Sequence, residues 1–348
     1  MHASVERPAA ADGAPVWRWW AMAAALPLLM LAALCIGRYA LSPSRVFEVL
    51  LAAALPGSIQ AHGVDWRVVL QLRLPRILLA ALVGAGLAVC GAALQGCFRN
   101  PLVGPQVLGI SSGAAFGGCL AIVFFASLPA ILIGSFVFGA LATALVYLLA
   151  RTQRRTTVLM LILAGVVVGA WFAALISLVT YLADPDDAMQ AIVFWLMGSF
   201  ATASWAKLGA VLLPIALGVG LLHALRFRLN VLSLGDEQAA ALGVAVEPLR
   251  WGVLACVALV VSASVAVTGT VGWVGLVVPH VARMLVGADH RLLLPASALL
   301  GAGFTVLVDT LARSASGAEI PLGVITALVG APVFGVLLRR RAVREGVS

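Results

Sequence analysis

One segment of the sequence matches the pattern of a catalytic serine. Residues 109–113 read Gly-Ile-Ser-Ser-Gly, the GxSxG form in which a serine on a sharp strand-to-helix turn attacks acyl groups. Here the match opens a helix within a long uncharged run, so we interpret its serines as small polar residues that cap and pack a helix N-terminus. His280 has the chemistry of a general base, but no acidic residue lies near it in sequence to orient it. An intramembrane hydrolase is therefore a weak hypothesis.

Two further kinds of chemistry are excluded by residue types and spacing. Lys207 is the sole lysine, and its surroundings are unlike the GxxxxGK[ST] loop whose lysine reaches nucleotide phosphates. The chain is therefore not an ATP-hydrolysing motor of that type. All five cysteines lie in apolar runs, with no CxxC pair and no histidine at ligand spacing, so we interpret them as packing residues and expect no metal site. They are Cys35, Cys90, Cys97, Cys119 and Cys256.

Charged residues near the ends of apolar runs form a first candidate site. Asp309 and Arg313 are four residues apart and can pair on one helix face. Arg73 and Arg76 precede another apolar run. An ionisable group at membrane depth is costly unless it is paired or wet, so these residues are functional candidates by default. Two interpretations stay open: the arginines contact an acidic partner, or they extend toward lipid headgroups.

The segment 233–243 is predicted to form a short capped helix, the second candidate site. Ser233 and Asp236 have the [ST]-x-x-[DE] spacing of a capping box. Asp236 and Glu237 then lie where the helix dipole favours anions, and Gly243 can end the helix in the left-handed conformation. Such a helix, held at the surface between two apolar runs, would fit a groove on a partner protein. An ordinary interhelical loop is the alternative.

The composition predicts the environment of these residues. Hydrophobic residues make up 63% of the 348 residues, charged residues 10%, and the mean hydropathy is +1.10. A soluble domain has about 25% charged residues, so lipid must solvate much of this chain. The net charge of +8 fits basic loops on one side of a membrane. Because no basic cluster is interleaved with aromatic residues, nucleic acid is not an expected partner.

Uncharged runs long enough for a spanning helix of about 20 residues predict an all-α protein with ten membrane crossings. A break at Ser127–Pro129 divides Pro101–Ala150 into two crossings, and Trp251–Ala282 is expected to form a full helix and a short, irregular one. The other six crossings are Trp19–Gly37, Ile77–Phe98, Thr156–Ala183, Leu208–Leu225, Leu292–Val308 and Ile320–Leu338.

The distribution of basic residues predicts the orientation. Ten crossings place 15 of the 22 basic residues on the side of both termini, and the positive-inside rule puts that side in the cytoplasm. We expect one transmembrane domain at 17–341, a disordered cytoplasmic tail at 1–16 and a cytoplasmic tail at 342–348. Paired glycines predict close helix packing: Gly84 with Gly86, Gly165 with Gly169, and Gly301 with Gly303.

Several short motifs lie between about Arg73 and Leu338. Each alone is a weak signal, but their order and spacing together are highly specific. They are Arg73–Arg76, Leu94–Gly96, Arg99–Leu102, Leu108–Gly113, Trp195–Ser199, Leu234–Glu237, Leu242–Gly243, Gly275–His280, Asp289–Arg291, Asp309 with Arg313, Glu319–Gly323 and Gly330–Pro332. With these motifs the chain resembles the permease subunits of ABC importers for vitamin B12, ferric siderophores and haem. It departs from the family pattern at Gly104, where many members have an acidic residue, and at Trp273, where members usually have phenylalanine.

The resemblance implies a type II importer permease fold of ten helices, multi-pass in the bacterial inner membrane, with two copies around a substrate path. Two ABC ATPase subunits, which bind ATP and magnesium, would dock on the cytoplasmic loop through Ser233, Leu234, Gly235, Asp236, Glu237, Ala240, Leu242 and Gly243. A periplasmic binding protein would dock on Arg73, Arg76 and Arg313. The structural motif residues would be Arg99, Asn100, Pro101, Trp195, Gly198, Pro279, His280 and Asp309. No catalytic residue and no cofactor is expected on this chain.

The sequence narrows the cargo to a class of molecules and does not single out one compound. Because the predicted spans lack clustered metal ligands, a metal would travel inside a chelate selected by the binding protein. A ferric siderophore or haem is the leading expectation, and cobalamin or a molybdate-type oxyanion is the alternative. An ion-coupled secondary transporter is less expected, because such proteins have acidic residues at mid-membrane and Asp309 lies near the end of its span.

Overall fold

The computed structural model describes residues 15–54, 63–151, 157–315 and 319–344. These residues form helices and no strand. Seven of the described helices are long and apolar enough to cross a membrane, and three shorter apolar helices accompany them. The all-α prediction is confirmed, and each of the ten predicted crossings corresponds to one of these apolar helices.

The helices fall into three groups by length and composition. The long apolar helices are α1 (Val16–Cys35), α4 (Leu74–Cys97), α6 (Leu128–Ala150), α7 (Val158–Leu182), α9 (Trp205–Ala224), α12 (Val246–Thr268) and α14 (His290–Ser314). The shorter apolar segments lie in α5 (Ile110–Phe124), α13 (Val274–Val286) and α15 (Leu322–Arg344), the last apolar as far as Val336. The connecting helices are α2 (Pro43–Ala54), α3 (Val64–Trp66), α8 (Ala188–Leu196), α10 (Arg226–Leu232) and α11 (Asp236–Ala241).

The breaks between helices follow proline and glycine. α5 ends at Phe124 and α6 begins at Leu128, as the Ser127–Pro129 break predicted. The first half of that hairpin is shorter than predicted, because the chain after Pro101 is irregular and forms only a 3₁₀ turn at Pro105–Leu108. A π-helical stretch, Arg67–Arg73, continues α4 backwards to α3.

The serines of the GxSxG segment do not cap the helix, contrary to the capping part of the prediction. Gly109 is the N-cap of α5, with φ of 71°, and no side-chain hydrogen bond to this N-terminus is found among the described residues. The serines at 111 and 112 therefore lie in the first turn and do not cap it. The setting is a turn between two helices, not the strand-to-helix turn of a nucleophile elbow.

Helix α4 forms the centre of the bundle and packs against α9, α12, α13 and α14. Two glycine pairs allow the closest crossings. A Cβ on Gly84 would lie 2.3 Å from the carbonyl oxygen of Gly301, and a Cβ on Gly91 would lie 1.8 Å from that of Gly275. The predicted packing role is therefore confirmed at Gly84 and Gly301, where only a hydrogen side chain lets the backbones approach.

Contacts between helix ends show which ends lie together at each of the two ends of the bundle. At one end, Arg18 near the start of α1 donates to the carbonyl of Leu285 near the end of α13 (2.8 Å). At the opposite end, the last turn of α1 contacts Arg73 at the start of α4. This alternation agrees with ten crossings. Residues 1–14 and 345–348 of the predicted tails lie outside the described residues, and α15 includes residues 342–344 of the tail predicted at 342–348.

Candidate interaction sites at the two ends of the bundle

The 233–243 loop presents the short helix α11 at one end of the bundle. Leu234 and Leu242 are 60% and 63% exposed and flank this helix, and Glu237 and Ala240 are exposed on it. Two exposed leucines around an acidic turn make a mixed apolar and acidic surface. Such a surface is suited to cover by a partner protein.

The N-terminus of α11 differs from the predicted capping box. The helix begins at Asp236, and its N-cap is Gly235, with φ of 132° and no side-chain cap hydrogen bond in the described part of the chain. Ser233 belongs to the end of α10, where its Oγ donates to the carbonyl of Asn230 (2.6 Å). The prediction was wrong because the chain turns at Gly235, in a conformation that favours glycine, and this moves the helix start past Ser233.

The C-terminus of α11 ends as predicted. Gly243 has φ of 81°, and its N–H donates to the carbonyl of Ala240 (3.0 Å). The N–H of Val244 donates to the carbonyl of Ala239 (2.9 Å). These two bonds form a Schellman motif, which satisfies the last carbonyls of the helix and fixes the direction of the chain into α12.

Asp236 attaches α11 to the transmembrane helices. Arg250 of α12 donates from Nη2 to both carboxylate oxygens of Asp236 (2.9 and 3.0 Å). Arg99, which follows α4, has its Nη2 at 3.8 Å from the same carboxylate. The side chain of Arg250 is only 1% exposed, and a buried guanidinium is stable only with a charged partner. Asp236 therefore ties α11 to α12 and to the end of α4.

Sequence reasoning missed Arg250. In sequence it is one basic residue among several near a helix start, and nothing indicates that it is buried. Its distance of 14 residues from Asp236 also hides the pair from any local pattern.

A second attachment joins α10 to the start of α14. The Asn230 side chain donates from Nδ2 to Asp289 (2.6 Å) and accepts at Oδ1 from the backbone N–H of His290 (2.8 Å). Asp289 is also the N-cap of α14 and accepts from the backbone N–H of Arg291 (2.9 Å). The Arg291 side chain lowers the pKa of Asp289 to about 2, so this carboxylate is charged at neutral pH.

The His290 ring is held against the backbone of α4. Its Nδ1 lies 2.7 Å from Asn230 Oδ1, which assigns the proton to Nδ1. A Cβ on Gly96 would lie 2.1 Å from its Nε2. The ring is 1% exposed and has little room to move away.

We therefore expect Gly96→Ala to destabilise the protein by about 1–3 kcal/mol, the usual effect of overpacking a fixed core. The loss is measured as a lower unfolding temperature in detergent. Gly220→Ala is the matched control, because a Cβ there has no heavy atom within 4 Å. Equal stability of the two variants would contradict this packing argument.

At the opposite end, three arginines and two carboxylates form the outer ionic cluster. Arg76 of α4 donates to both oxygens of Asp309 of α14 (2.9–3.0 Å) and to both oxygens of Glu319 (3.0 Å each). Asp309 is 1% exposed, and Arg313 lies 3.9 Å from it. The predicted pairing of Asp309 and Arg313 is present as this longer contact, and the stronger partner of Asp309 is Arg76.

Arg73 and Arg313 cap the end of α1. Arg73 donates to the carbonyls of Leu34 (2.6 Å) and Cys35 (3.3 Å), and Arg313 donates to that of Ala33. The last carbonyls of a helix have no partner within the helix, and its dipole favours cations there. Both side chains are only 6% exposed. Their predicted docking role stays a prediction, and both guanidinium groups are buried against the end of α1.

The other motif residues lie where helices are interrupted. Asn100 accepts from the N–H of Leu102 (2.9 Å) and, with Arg99, Pro101 and His280, lines a polar cavity of about 460 Å³ below the 233–243 loop. Pro279 lies within α13, next to His280.

Trp195 and Gly198 meet the break between α12 and α13. Gly198 has φ of 76°, and its carbonyl accepts from the N–H of Leu322 at the start of α15 (2.9 Å). A Cβ on Gly269 in the break would lie 1.8 Å from the Trp195 carbonyl oxygen. These motifs thus join the segment after α8 to the interrupted helices.

The ten apolar helices in the described part of the chain define a multi-pass membrane protein, with the short helix α11 attached at one end of the bundle. The family model described as the FecCD transport family matches residues 25–340. This chain belongs to the FecCD transport family.

Named relatives and a solved structure agree with this membership. The chain is 48% identical over 303 residues to the molybdate import system permease protein of Haemophilus influenzae, covering 87% of this chain and 89% of the relative. It is 42% identical over 292 residues to the hemin transport system permease protein of Yersinia pestis, covering 81% and 86%. It is also similar to a metal-chelate type ABC transporter solved in an inward-facing conformation, with a TM-score of 0.84, 45% identity and coverage of 93% and 99%. The predicted permease class and type II fold are confirmed.

Proposed function

We propose that two copies of this chain form the membrane path of an ATP-driven importer, powered by two separate ABC ATPase subunits that bind the 233–243 loops. The observation that carries the proposal is the attachment of α11 through Asp236 to α12 and the end of α4. A partner that displaces α11 must also act on α12, because the Arg250 guanidinium that binds Asp236 is buried in the bundle. ATP binding then favours one conformation of the path over another through different contacts in the two states.

We further propose that a periplasmic binding protein docks at the outer ionic cluster. Arg76 is the most accessible of its three arginines, at 12%, and Glu319 is 32% exposed. In this arrangement Arg76 is the candidate contact for an acidic group of the binding protein. Arg73 and Arg313 are positioning residues that fix the end of α1 beside it. The positive-inside distribution of basic residues supports a position of this cluster on the outer side of the inner membrane, with both termini in the cytoplasm.

The cargo proposed first is an iron chelate, a ferric siderophore or haem. The 42% identity to a hemin permease supports it. Molybdate is the second candidate, favoured by the 48% identity to a molybdate permease. Both candidates are metals carried in an anionic or chelated form and recognised first by a binding protein.

Co-purification from the native membrane tests the power source. The tagged permease should retain a polypeptide with a GxxxxGK[ST] loop, and uptake into proteoliposomes should require that polypeptide and ATP. Uptake by the permease alone would refute the proposal. The cargo is then identified by the absorbance spectrum and metal content of the purified binding protein, with labelled iron chelates and molybdate as uptake substrates.

A further inference from the structure

An apolar groove runs along one side of the bundle between α6 and α12. Its volume is about 620 Å³. The groove exists because alanines face it from both helices, Ala140 and Ala144 on α6 and Ala255 on α12, and all three are exposed. α6 and α12 pack directly against each other along it. A third helix, about 10–12 Å wide with its side chains, would lie over this channel and would not fill it.

The groove has the length of one lipid leaflet. On α6 it extends from Phe136 to Tyr147. At 1.5 Å per residue this is about 16 Å, and half of a hydrocarbon core of about 30 Å is about 15 Å. The end lined by Tyr147 and Trp251 lies near the C-terminus of α6 and the N-terminus of α12, which begins at Val246. One acyl chain, extended from the surface toward the bilayer centre, matches this shape.

Aromatic and charged side chains surround the surface end of the groove. The rings of Tyr147 and Trp251 meet edge to face, with centroids 4.4 Å apart. The guanidinium of Arg151 lies 5.7 Å from the Tyr147 ring. Trp251 Nε1 donates to the carboxylate of Glu247 (3.0 Å). Tyrosine and tryptophan concentrate at the headgroup level of membranes, so this end lies at the interface.

We propose that the groove is a binding site for one phospholipid with an amine headgroup. Its acyl chain lies along Ala140, Ala144 and Ala255, its phosphate is bound by Arg151, and its ammonium is bound by Glu247. A guanidinium is the side chain best suited to phosphate oxygens, and the neighbouring carboxylate selects against a purely anionic headgroup. The site is independent of the proposed transport function, since it requires only the folded chain in a bilayer.

Quenching of tryptophan fluorescence by lipids with brominated acyl chains tests the site. The protein is reconstituted in phosphatidylcholine vesicles that contain a small, increasing fraction of brominated phosphatidylethanolamine. The Trp251 contribution is the difference between the wild type and Trp251→Phe. We expect this difference to saturate at a low lipid fraction, whereas tryptophans exposed to bulk lipid respond in proportion to the fraction. Brominated phosphatidylglycerol lacks the ammonium group and should saturate only at a lipid fraction about tenfold higher.

Two variants separate the acyl groove from the headgroup contact. Ala255→Phe fills the groove and should remove the saturating component, while Leu148→Phe, on the exposed face of α6, should retain it. Arg151→Gln should weaken the apparent affinity for phosphatidylethanolamine about tenfold, the effect of losing one charge-assisted hydrogen bond.

A proportional response for every lipid would overturn the proposal. So would an absent Trp251 contribution, which would mean that a second copy of the chain covers the groove. If Ala255→Phe does not fold, the difference in quenching between the wild type and Trp251→Phe still shows whether a lipid binds in the groove.

Discussion

Asp309→Asn is expected to lower the free energy of unfolding by about 3–5 kcal/mol, the usual effect of removing one partner from a buried ion pair. Asp309 is 1% exposed and faces Arg76 and Arg313, so its loss leaves buried positive charge without compensation. Unfolding is measured by SDS titration in mixed micelles. Because Arg313 also holds the end of α1, we expect the variant to lose transport as well.

Glu319→Gln is the matched control for Asp309→Asn. Glu319 binds the same arginine but is 32% exposed, and removal of an exposed ion-pair partner costs about 1 kcal/mol or less. Adding Arg76→Gln to Asp309→Asn should recover part of the loss, because the two residues are in direct contact and their effects are not additive. Equal destabilisation by Asp309→Asn and Glu319→Gln would show that burial does not set the energy of this cluster.

Asp236→Asn is expected to uncouple ATP hydrolysis from transport. The substitution removes the carboxylate that binds the buried Arg250 guanidinium, so the attachment of α11 to α12 weakens while the exposed leucines remain available to the ATPase. Arg250 is 1% exposed but Asp236 is 41% exposed, so solvent screens the pair and its loss corresponds to about 1–3 kcal/mol. We therefore expect the cargo moved per ATP to fall about tenfold. The measurement compares uptake with phosphate release in the same proteoliposomes.

Glu237→Gln is the neighbouring control, since Glu237 lies in the same helical turn but is exposed. It should retain coupling, with a change only in the salt dependence of ATPase binding. Replacing both residues with lysine should abolish coupling, because a lysine at 236 would face Arg250 and Arg99. Normal coupling in Asp236→Asn would refute the role of this ion pair, and a defect confined to Glu237→Gln would move that role to the exposed surface.

The transmembrane helices could be predicted because solvation by lipid requires a simple sequence pattern. A helix solvated by lipid must be long and uncharged, and the breaks at Ser127 and at Gly269 coincide with proline and glycine. The connecting helices α2 and α8 were not predicted. Each is shorter than a spanning helix, and α2 has the charged residues Arg45 and Glu48, so neither stands out from a loop.

The side-chain partners in the two sites could not be predicted, for a physical reason. Arg73 binds backbone carbonyls 38 and 39 residues away, and every residue type has a carbonyl, so no sequence pattern records the contact. Arg76 and Asp309 are 233 residues apart. Sequence spacing indicated which residues were functional candidates, but only the packing of α1, α4 and α14 showed which of them face inward.

The capping of α1 by Arg73 and Arg313 has a consequence for biogenesis. The ribosome releases α1 before the other helices, and Arg313 leaves it some 280 residues after the carbonyl of Ala33 that it binds. Arg73 can bind the last two carbonyls of α1 much earlier, so until Arg313 arrives it is the carbonyl of Ala33 that must bind water at the edge of the bilayer. α1, the earliest of the described helices to be delivered to the membrane, is therefore among the last to reach its final hydrogen bonding, and a nascent chain stopped before α14 would leave it incomplete.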